Sequence, residues 1–168
     1  MTPLVGRMLL GALAGFAATL PMTGAMRRLH ERLPRHERYP LPPREITEDL
    51  PHIGLRPSTA TLLHHFLYGA VAGSVLAAAS GRRDAATGGA FGVAVWAASY
   101  LGWIPAMGIL RFGARHPARR NGLMLAAHLV WGASLAAGLR ELEAARHESF
   151  AHSTATHPRL EDRPEERR

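Results

Sequence analysis

The chain has 168 residues, a formal net charge of +7 and no cysteine. The missing thiols exclude disulfides, thiolate metal sites, iron–sulfur clusters and cysteine nucleophiles. All 20 basic residues are arginines, and they lie almost entirely between the apolar runs or in the tail, where they do not alternate with aromatic residues. This distribution favours anionic lipid headgroups as partners, and no nucleic acid is expected.

Four uncharged, apolar segments follow one another along the chain. Each has, or nearly has, the roughly 20 residues that a helix needs to cross a hydrocarbon core ~30 Å thick. They predict an all-α, polytopic membrane protein, a four-helix bundle within one domain over residues 1–146. The predicted spans are residues 8–26, 59–80, 85–110 and 121–139.

Matching motifs recur in the two halves of the chain. Predicted helix 1 ends LPMTGAMR and predicted helix 3 ends IPAMGILR, while helix 2 contains HFLYGAVAG and helix 4 contains HLVWGASLA. Two matches in the same order predict a duplicated helical hairpin with a pseudo-twofold axis along the membrane normal. The match to an internal helix also favours a retained helix 1 over the alternative, a cleaved signal peptide.

Small residues recur four positions apart in every predicted helix and therefore share one helix face. Such faces allow helices to approach closely within a bilayer, or to meet a second copy or another membrane protein. Pro21 and Pro105 are predicted to kink helices 1 and 3, because proline removes a backbone hydrogen bond. The predicted packing residues are Gly11, Gly15, Gly69, Gly73, Gly88, Gly92 and Gly132.

Two histidines are the candidate functional centre. His65 and His128 head the small-residue faces of helices 2 and 4, so both are predicted to point into the bundle. Ionisable groups inside a bilayer are functional candidates, and Tyr68 and Trp131 follow the two histidines at the same spacing. A titratable pair of this kind would handle protons or a small solute. The alternative is packing, with each imidazole hydrogen-bonded to a neighbouring helix.

Haem or metal ligation between helices 2 and 4 is a further interpretation of the same pair. Two imidazoles are few ligands for zinc, and glycine-rich faces leave little room for haem, so no cofactor is expected. All 13 carboxylates lie outside the four predicted spans. Their absence there disfavours an exporter that depends on an intramembrane glutamate, and the spans contain no Ser/His/Asp set. The protein is therefore expected not to be an enzyme.

Aromatic residues at helical spacing run along predicted helix 3. Tyr100 and Trp103 are predicted to form an aromatic belt at the cytoplasmic interface, and His64 is likewise predicted to be interfacial. A ring-stacking ligand site that includes Trp96 is the alternative.

The segments between and after the helices also carry predictions. Loop 1, residues 27–58, contains YPLPPR, which predicts an extended spacer or, alternatively, a docking segment for a partner protein. Residues 147–168 are predicted to be a disordered, charged tail. Loops 1 and 3 hold 11 arginines against five on the opposite side, which predicts both loops in the cytoplasm and both termini outside.

Three motifs resemble those of the YagU-like family of bacterial inner-membrane proteins: PLPPR (Pro40–Arg44), IPAMGI (Ile104–Ile109) and AHLVWG (Ala127–Gly132). The resemblance implies a multi-pass inner-membrane protein and supplies no reaction or cofactor. The leading functional hypothesis is a small factor in solute or proton handling or in envelope stress response. The alternatives are a haem- or metal-binding protein and a structural subunit of a larger membrane complex.

Overall fold

The computed structural model describes residues 3–48, 54–108 and 116–155. Within these ranges the chain is almost entirely helical and contains no strand. The elements are α1 (Pro3–His30), a 3₁₀ turn (Arg35–Glu37), α2 (Pro42–Glu48), α3 (Pro57–Ala79), α4 (Ala85–Ala97), a π-helical segment (Ala98–Trp103), α5 (Ile104–Ala106) and α6 (Ala118–Ala155).

Among the described residues, four helical stretches are long and apolar enough to cross a membrane: Pro3–His30, Pro57–Ala79, Ala85–Ala106 and Ala118–Glu148. The predicted all-α, four-helix membrane architecture is therefore confirmed. The first and fourth stretches extend beyond the predicted spans at both ends. Residues 109 and 110, predicted to end helix 3, lie outside the described residues.

Many large apolar side chains lie exposed on the outside of the bundle, while alanines are prominent among the residues buried in its interior. Leu20 and Val71 are 67% and 65% exposed, whereas Ala127 and Ala77 are completely buried. In water this distribution would be unfavourable, but hydrocarbon solvates leucine and valine well and helices in a bilayer associate through small residues. The pattern therefore fits a protein whose outer face contacts lipid.

The two predicted kink positions, Pro21 and Pro105, lie in different helical surroundings. α1 continues as an α-helix through Pro21. The third spanning stretch changes to π-helical geometry at Ala98 and leaves helical dihedral angles at Gly102 (φ −114°, ψ −107°). The interruption therefore precedes Pro105, which lies in the first turn of α5, where its missing N–H has no helical partner to lose.

The spanning helices pack in the order α3, α1, α6, α4. α1 packs along both α3 and α6, and α4 packs along α6. α3 and α4, at the two ends of this order, make almost no backbone contact. A pseudo-twofold axis relating the two hairpins would pair α4 with α3 in the same way that α1 pairs with α6. The packing departs from that symmetry on the side between α3 and α4, which we call the open side.

Both hairpins are joined by glycine crossings. In the first hairpin, a Cβ atom on Gly15 would meet the carbonyl oxygen of Gly69, and in the second, a Cβ atom on Gly132 would meet the carbonyl oxygen of Gly88. Gly11 lies against Gly73 in the same manner. Any side chain larger than hydrogen at these positions would force the helices apart.

The two crossings do not follow the motif alignment. Aligning Pro21 with Pro105 shifts the numbering by 84, which would make Ser99 the counterpart of Gly15. In the structure, the residue that meets α6 as Gly15 meets α3 is Gly92, a shift of 77. The difference, 84 − 77 = 7 residues, is about two helical turns. The third spanning stretch thus continues past its crossing, and the π-helical segment lies in this additional part.

Residues 35–48, which we call the cover segment, close one end of the bundle. Pro42 and Pro43 begin α2 instead of continuing an extended spacer, so the predicted polyproline conformation is wrong over these residues. Proline is well suited to a first helical turn, because its φ angle is already helical. At the other end of the chain α6 continues to Ala155, so the first nine residues of the predicted tail are helical. Residues 156–168 lie outside the described residues.

Candidate intramembrane ligand site

A cavity of about 220 Å³ lies inside the bundle. Residues from all four spanning stretches line it, and α2 covers one end. Pockets for drug-sized ligands occupy about 300–1,000 Å³. The volume therefore suits a smaller molecule.

The cavity wall is rich in rings that carry a polar atom. All three tryptophans of the chain, Trp96, Trp103 and Trp131, line the cavity, as do Tyr68 and Tyr100. None of the three phenylalanines whose side chains the structure describes, Phe16, Phe66 and Phe91, does. Such amphipathic rings provide a large apolar contact together with hydrogen-bonding groups.

The four residues of the predicted site line this one cavity. His65 and Tyr68 come from α3, and His128 and Trp131 come from α6. His65 and His128 line the same cavity from two different helices. The matching motifs of helices 2 and 4 therefore bring their polar rings into a common space.

His128 has a defined hydrogen-bonding role. It is 8% exposed, and its Nδ1 atom lies 2.8 Å from the carbonyl oxygen of Met124, one turn earlier in α6. Because a carbonyl oxygen only accepts, Nδ1 must carry the proton, and in the neutral ring Nε2 is then an acceptor. The bond lies within one helix, unlike the interhelical bond that the packing interpretation expected.

Tyr68 and Trp131 each bridge two elements. The Trp131 indole N–H donates to the carbonyl oxygen of Gly15 at 3.3 Å, which joins α6 to α1. The Ser99 hydroxyl donates to the carbonyl oxygen of Val95 at 2.7 Å, so the Tyr68 hydroxyl, 2.6 Å away, is the donor to Ser99. This second bond joins α3 to the π-helical segment across the open side.

Three polar atoms in residues of the cavity wall have no hydrogen-bond partner among the described residues: Nδ1 of His64, Nε2 of His65 and Nε1 of Trp96. Buried polar groups are normally paired, so orphaned atoms beside a cavity suggest a missing partner such as a bound molecule. His64 and Trp96 are additions to the predicted site. His64 was predicted to be interfacial, and Trp96 belonged to the alternative ring-stacking site.

Tyr100 also belongs to the wall. It is 3% exposed, so it does not lie in an aromatic belt, whereas Trp103 is 42% exposed. The regular spacing of Trp96, Tyr100 and Trp103 was the available signal for a ring-lined site. The π-helical segment, which the sequence did not predict, contains Tyr100 and Trp103, two of the three rings of this stripe.

Arg120 fixes the cover segment to α6. Its side chain is buried, and its guanidinium group donates to the carbonyl oxygens of Glu37, Tyr39 and Pro40 at 2.8–3.0 Å. The guanidinium carbon also lies 3.4 Å from the centre of the Tyr39 ring, in cation–π geometry. The cation is thereby solvated by three carbonyl dipoles and an aromatic face.

A column of stacked groups leads from this arginine to the cavity. The Tyr39 ring contacts the His116 ring, and their side chains share a 2.8 Å hydrogen bond. His116 stacks on Tyr100 with ring centres 5.4 Å apart, and Tyr100 contacts Trp96 at 6.0 Å. The cover segment and the cavity wall therefore form one continuous packed unit.

The cavity is a poor fit for the cofactor interpretation. Within residues 3–48, 54–108 and 116–155, no three His, Cys, Asp or Glu side chains converge as a metal site requires. A haem is a drug-sized ligand or larger, and the glycine crossings hold α1 against α3 and α4 against α6. The cavity of about 220 Å³ is smaller than a porphyrin requires.

No protein-family model, no curated protein and no solved structure matches this chain. The resemblance to the YagU-like family therefore stays a prediction. The function has to be argued from the cavity and the residues that surround it.

Proposed function

We propose that the protein is a non-enzymatic, bacterial inner-membrane protein that binds a small, mainly apolar solute in its central cavity as part of solute handling. The observation that carries this proposal is the composition of the cavity wall. All three tryptophans of the chain and three of its histidines line the same cavity. Packing alone would not require polar rings to be concentrated around an empty space while the phenylalanines with described side chains, Phe16, Phe66 and Phe91, lie elsewhere.

The wall supports binding better than ion-coupled transport. It contains no aspartate, glutamate or arginine among the described residues, so it offers no full charge when the histidines are neutral. Carriers that couple transport to protons or ions use intramembrane ionisable groups. His65 and His128 are the groups here that would exchange a proton, and proton handling by this pair is the second function that the wall supports.

The remaining parts of the proposal concern membrane topology and partners. The arginine distribution favours the cover segment in the cytoplasm and both termini outside, with anionic lipids at the basic ends. The glycine faces are used within the bundle, as at Gly15 and Gly132. A homo-oligomer would therefore have to use the leucine- and valine-rich outer surface.

Tryptophan fluorescence tests the proposal, because every tryptophan lines the cavity. The full chain in lipid nanodiscs is titrated with 4-bromophenol, a neutral compound near neutral pH whose bromine quenches indole fluorescence. We expect saturable quenching in the wild type. The double variant His65→Ala, His128→Ala should show a dissociation constant about tenfold higher, the equivalent of ~1.4 kcal/mol.

The exposed His36, whose side chain is 81% exposed, provides a matched control. His36→Ala should bind like the wild type. Quenching that rises linearly and equally in all three proteins would mean partitioning into lipid, and would contradict the proposal. An absorption spectrum of the same preparation tests the cofactor alternative, since a Soret band lost in the double variant would identify haem as the ligand.

A further inference from the structure

We infer that the cavity takes an uncharged ring compound dissolved in the bilayer, bearing a hydroxyl or carbonyl group, and that this compound enters between α3 and the π-helical segment. The inference rests on the proposed solute-binding function and adds the chemical class of the ligand and its route. Three observations carry it: a covered end, an open side and an uncharged wall.

The covered end of the cavity is lined by the cover segment, which α6 holds in place. Pro42, Pro43, Ile46 and Thr47 of the cover segment line the cavity directly. Arg120 anchors this segment through three hydrogen bonds to its backbone carbonyl oxygens. Hydrogen bonds from a charged donor are about twice as strong as neutral ones. A route that displaces the cover segment would require the three Arg120 hydrogen bonds to break.

The open side is closed by far less. α3 and α4 make almost no backbone contact, and a single hydrogen bond, from Tyr68 to Ser99, spans the gap among the described residues. Tyr68 and Trp103 contact each other with ring centres 6.2 Å apart, line the cavity, and are also 40% and 42% exposed. Residues that face both the cavity and the outer surface mark the rim of a lateral opening. In a bilayer this rim faces hydrocarbon.

The wall defines the chemistry of the occupant. A charged molecule would lose its hydration without gaining an opposite charge, since the described wall residues include no aspartate, glutamate or arginine. The rings of Tyr100 and Trp131 provide flat apolar surfaces. The orphaned N–H of Trp96 is a donor, and Nε2 of His128 is an acceptor. A neutral ring with a hydroxyl or carbonyl group satisfies these features.

Thiol labelling tests the route, because the chain has no cysteine of its own. Met124 is 5% exposed and lines the cavity from α6, so Met124→Cys puts a single thiol at the back of the site. The full chain in nanodiscs is treated with benzyl methanethiosulfonate, a neutral ring reagent, or with the trimethylammonioethyl reagent, which is cationic. In each case the thiolate forms a disulfide and methanesulfinate leaves. His36→Cys on the exposed cover segment gives the reference rates.

We expect the ratio of neutral to cationic labelling rates to be at least about tenfold higher at Met124→Cys than at His36→Cys, because charged groups partition poorly into hydrocarbon. Adding Tyr68→Phe should raise the benzyl rate about threefold, the equivalent of the ~0.6 kcal/mol typical of one interhelical bond in a bilayer. Thr61→Val, which removes an exposed hydroxyl bonded within α3, should leave that rate unchanged.

The outcomes separate this inference from the function on which it rests. Equal access of both reagents to Met124→Cys would indicate an aqueous route and overturn the inference, while saturable quenching by 4-bromophenol would still support solute binding. Preferential labelling by the cation would indicate an aromatic cage for a cationic ligand and would also overturn it. No benzyl labelling, whatever the titration gives, would contradict the lateral route.

Discussion

The helices pack closely at the glycine crossings, whereas α3 and α4 are separated at the open side. At the crossings, Gly15 and Gly132 remove every side-chain atom so that backbones touch. Across the open side, Tyr68 and Trp103 place large rings between α3 and the π-helical segment. The comparison teaches that the cavity is not a packing failure of a loosely held bundle. It lies between two hairpins that are each held tightly.

The largest expected effect on stability concerns Arg120, which anchors the cover segment to α6. Arg120→Ala removes three hydrogen bonds from a charged donor, each contributing about 1.5–3 kcal/mol. We expect the free energy of unfolding to fall by at least about 3 kcal/mol, measured by SDS titration in mixed micelles. Arg119→Ala is the matched control, because Arg119 is exposed and carries the same charge. An equal loss in both variants would argue against the anchor.

The crossings themselves should be the next most sensitive region. Gly132→Ala places a methyl group against the Gly88 carbonyl oxygen, and overpacking of this kind costs about 1–3 kcal/mol. Gly122→Ala in the same helix meets nothing within 4 Å and should be neutral or slightly stabilising, because alanine favours helix more than glycine. The same SDS titration distinguishes the two. If the Gly132→Ala protein were as stable as the Gly122→Ala protein, the glycine crossings would not be more tightly packed than the open side.

The open side should respond much less. Tyr68→Phe removes the bond to Ser99 and keeps the ring, so we expect a loss of only about 0.6 kcal/mol in the free energy of unfolding. Thr61→Val provides the matched baseline. A loss as large as that of Gly132→Ala would mean that α3 and the π-helical segment are tightly joined, contrary to a lateral opening.

The smallest effect is expected outside the membrane, where α4 begins. Asp84 accepts hydrogen bonds from the backbone N–H and the hydroxyl of Thr87, which lower the pKa of its carboxyl group below the ordinary 3.8. A lowered folded-state pKa adds stability above the ordinary value, and this contribution is lost as the pH falls through the folded-state pKa. Asp84→Asn should therefore remove a small acid-dependent part of the thermal stability. Identical pH profiles for both proteins would contradict this account.

The membrane architecture could be predicted because it depends on local composition. Twenty apolar residues in succession define a spanning helix whatever surrounds them. The positions of His65 and His128 on inward faces also followed from local spacing, since glycines four residues away on the same face seek a neighbouring helix. These features need no knowledge of which helices touch.

The rest of the site depends on contacts between distant parts of the chain. Arg120 was counted only as a loop charge, because its three carbonyl partners lie 80 to 83 residues earlier. Tyr100 lies in the π-helical segment that begins at Ala98, and no local motif marks this change of geometry. Motif matching aligned Pro21 with Pro105, whereas the crossings follow a register that differs by about two turns, since packing is decided by the glycines.

A titration of a single-tryptophan protein tests the central claim most directly. In the variant Trp103→Phe, Trp131→Phe, the remaining fluorescence comes from Trp96, whose indole N–H has no described partner. Neutral 4-bromophenol should quench it saturably in nanodiscs, and anionic 4-bromobenzenesulfonate should not. Linear quenching by the phenol, or equal saturable quenching by both compounds, would contradict a cavity that selects an uncharged ring from the bilayer.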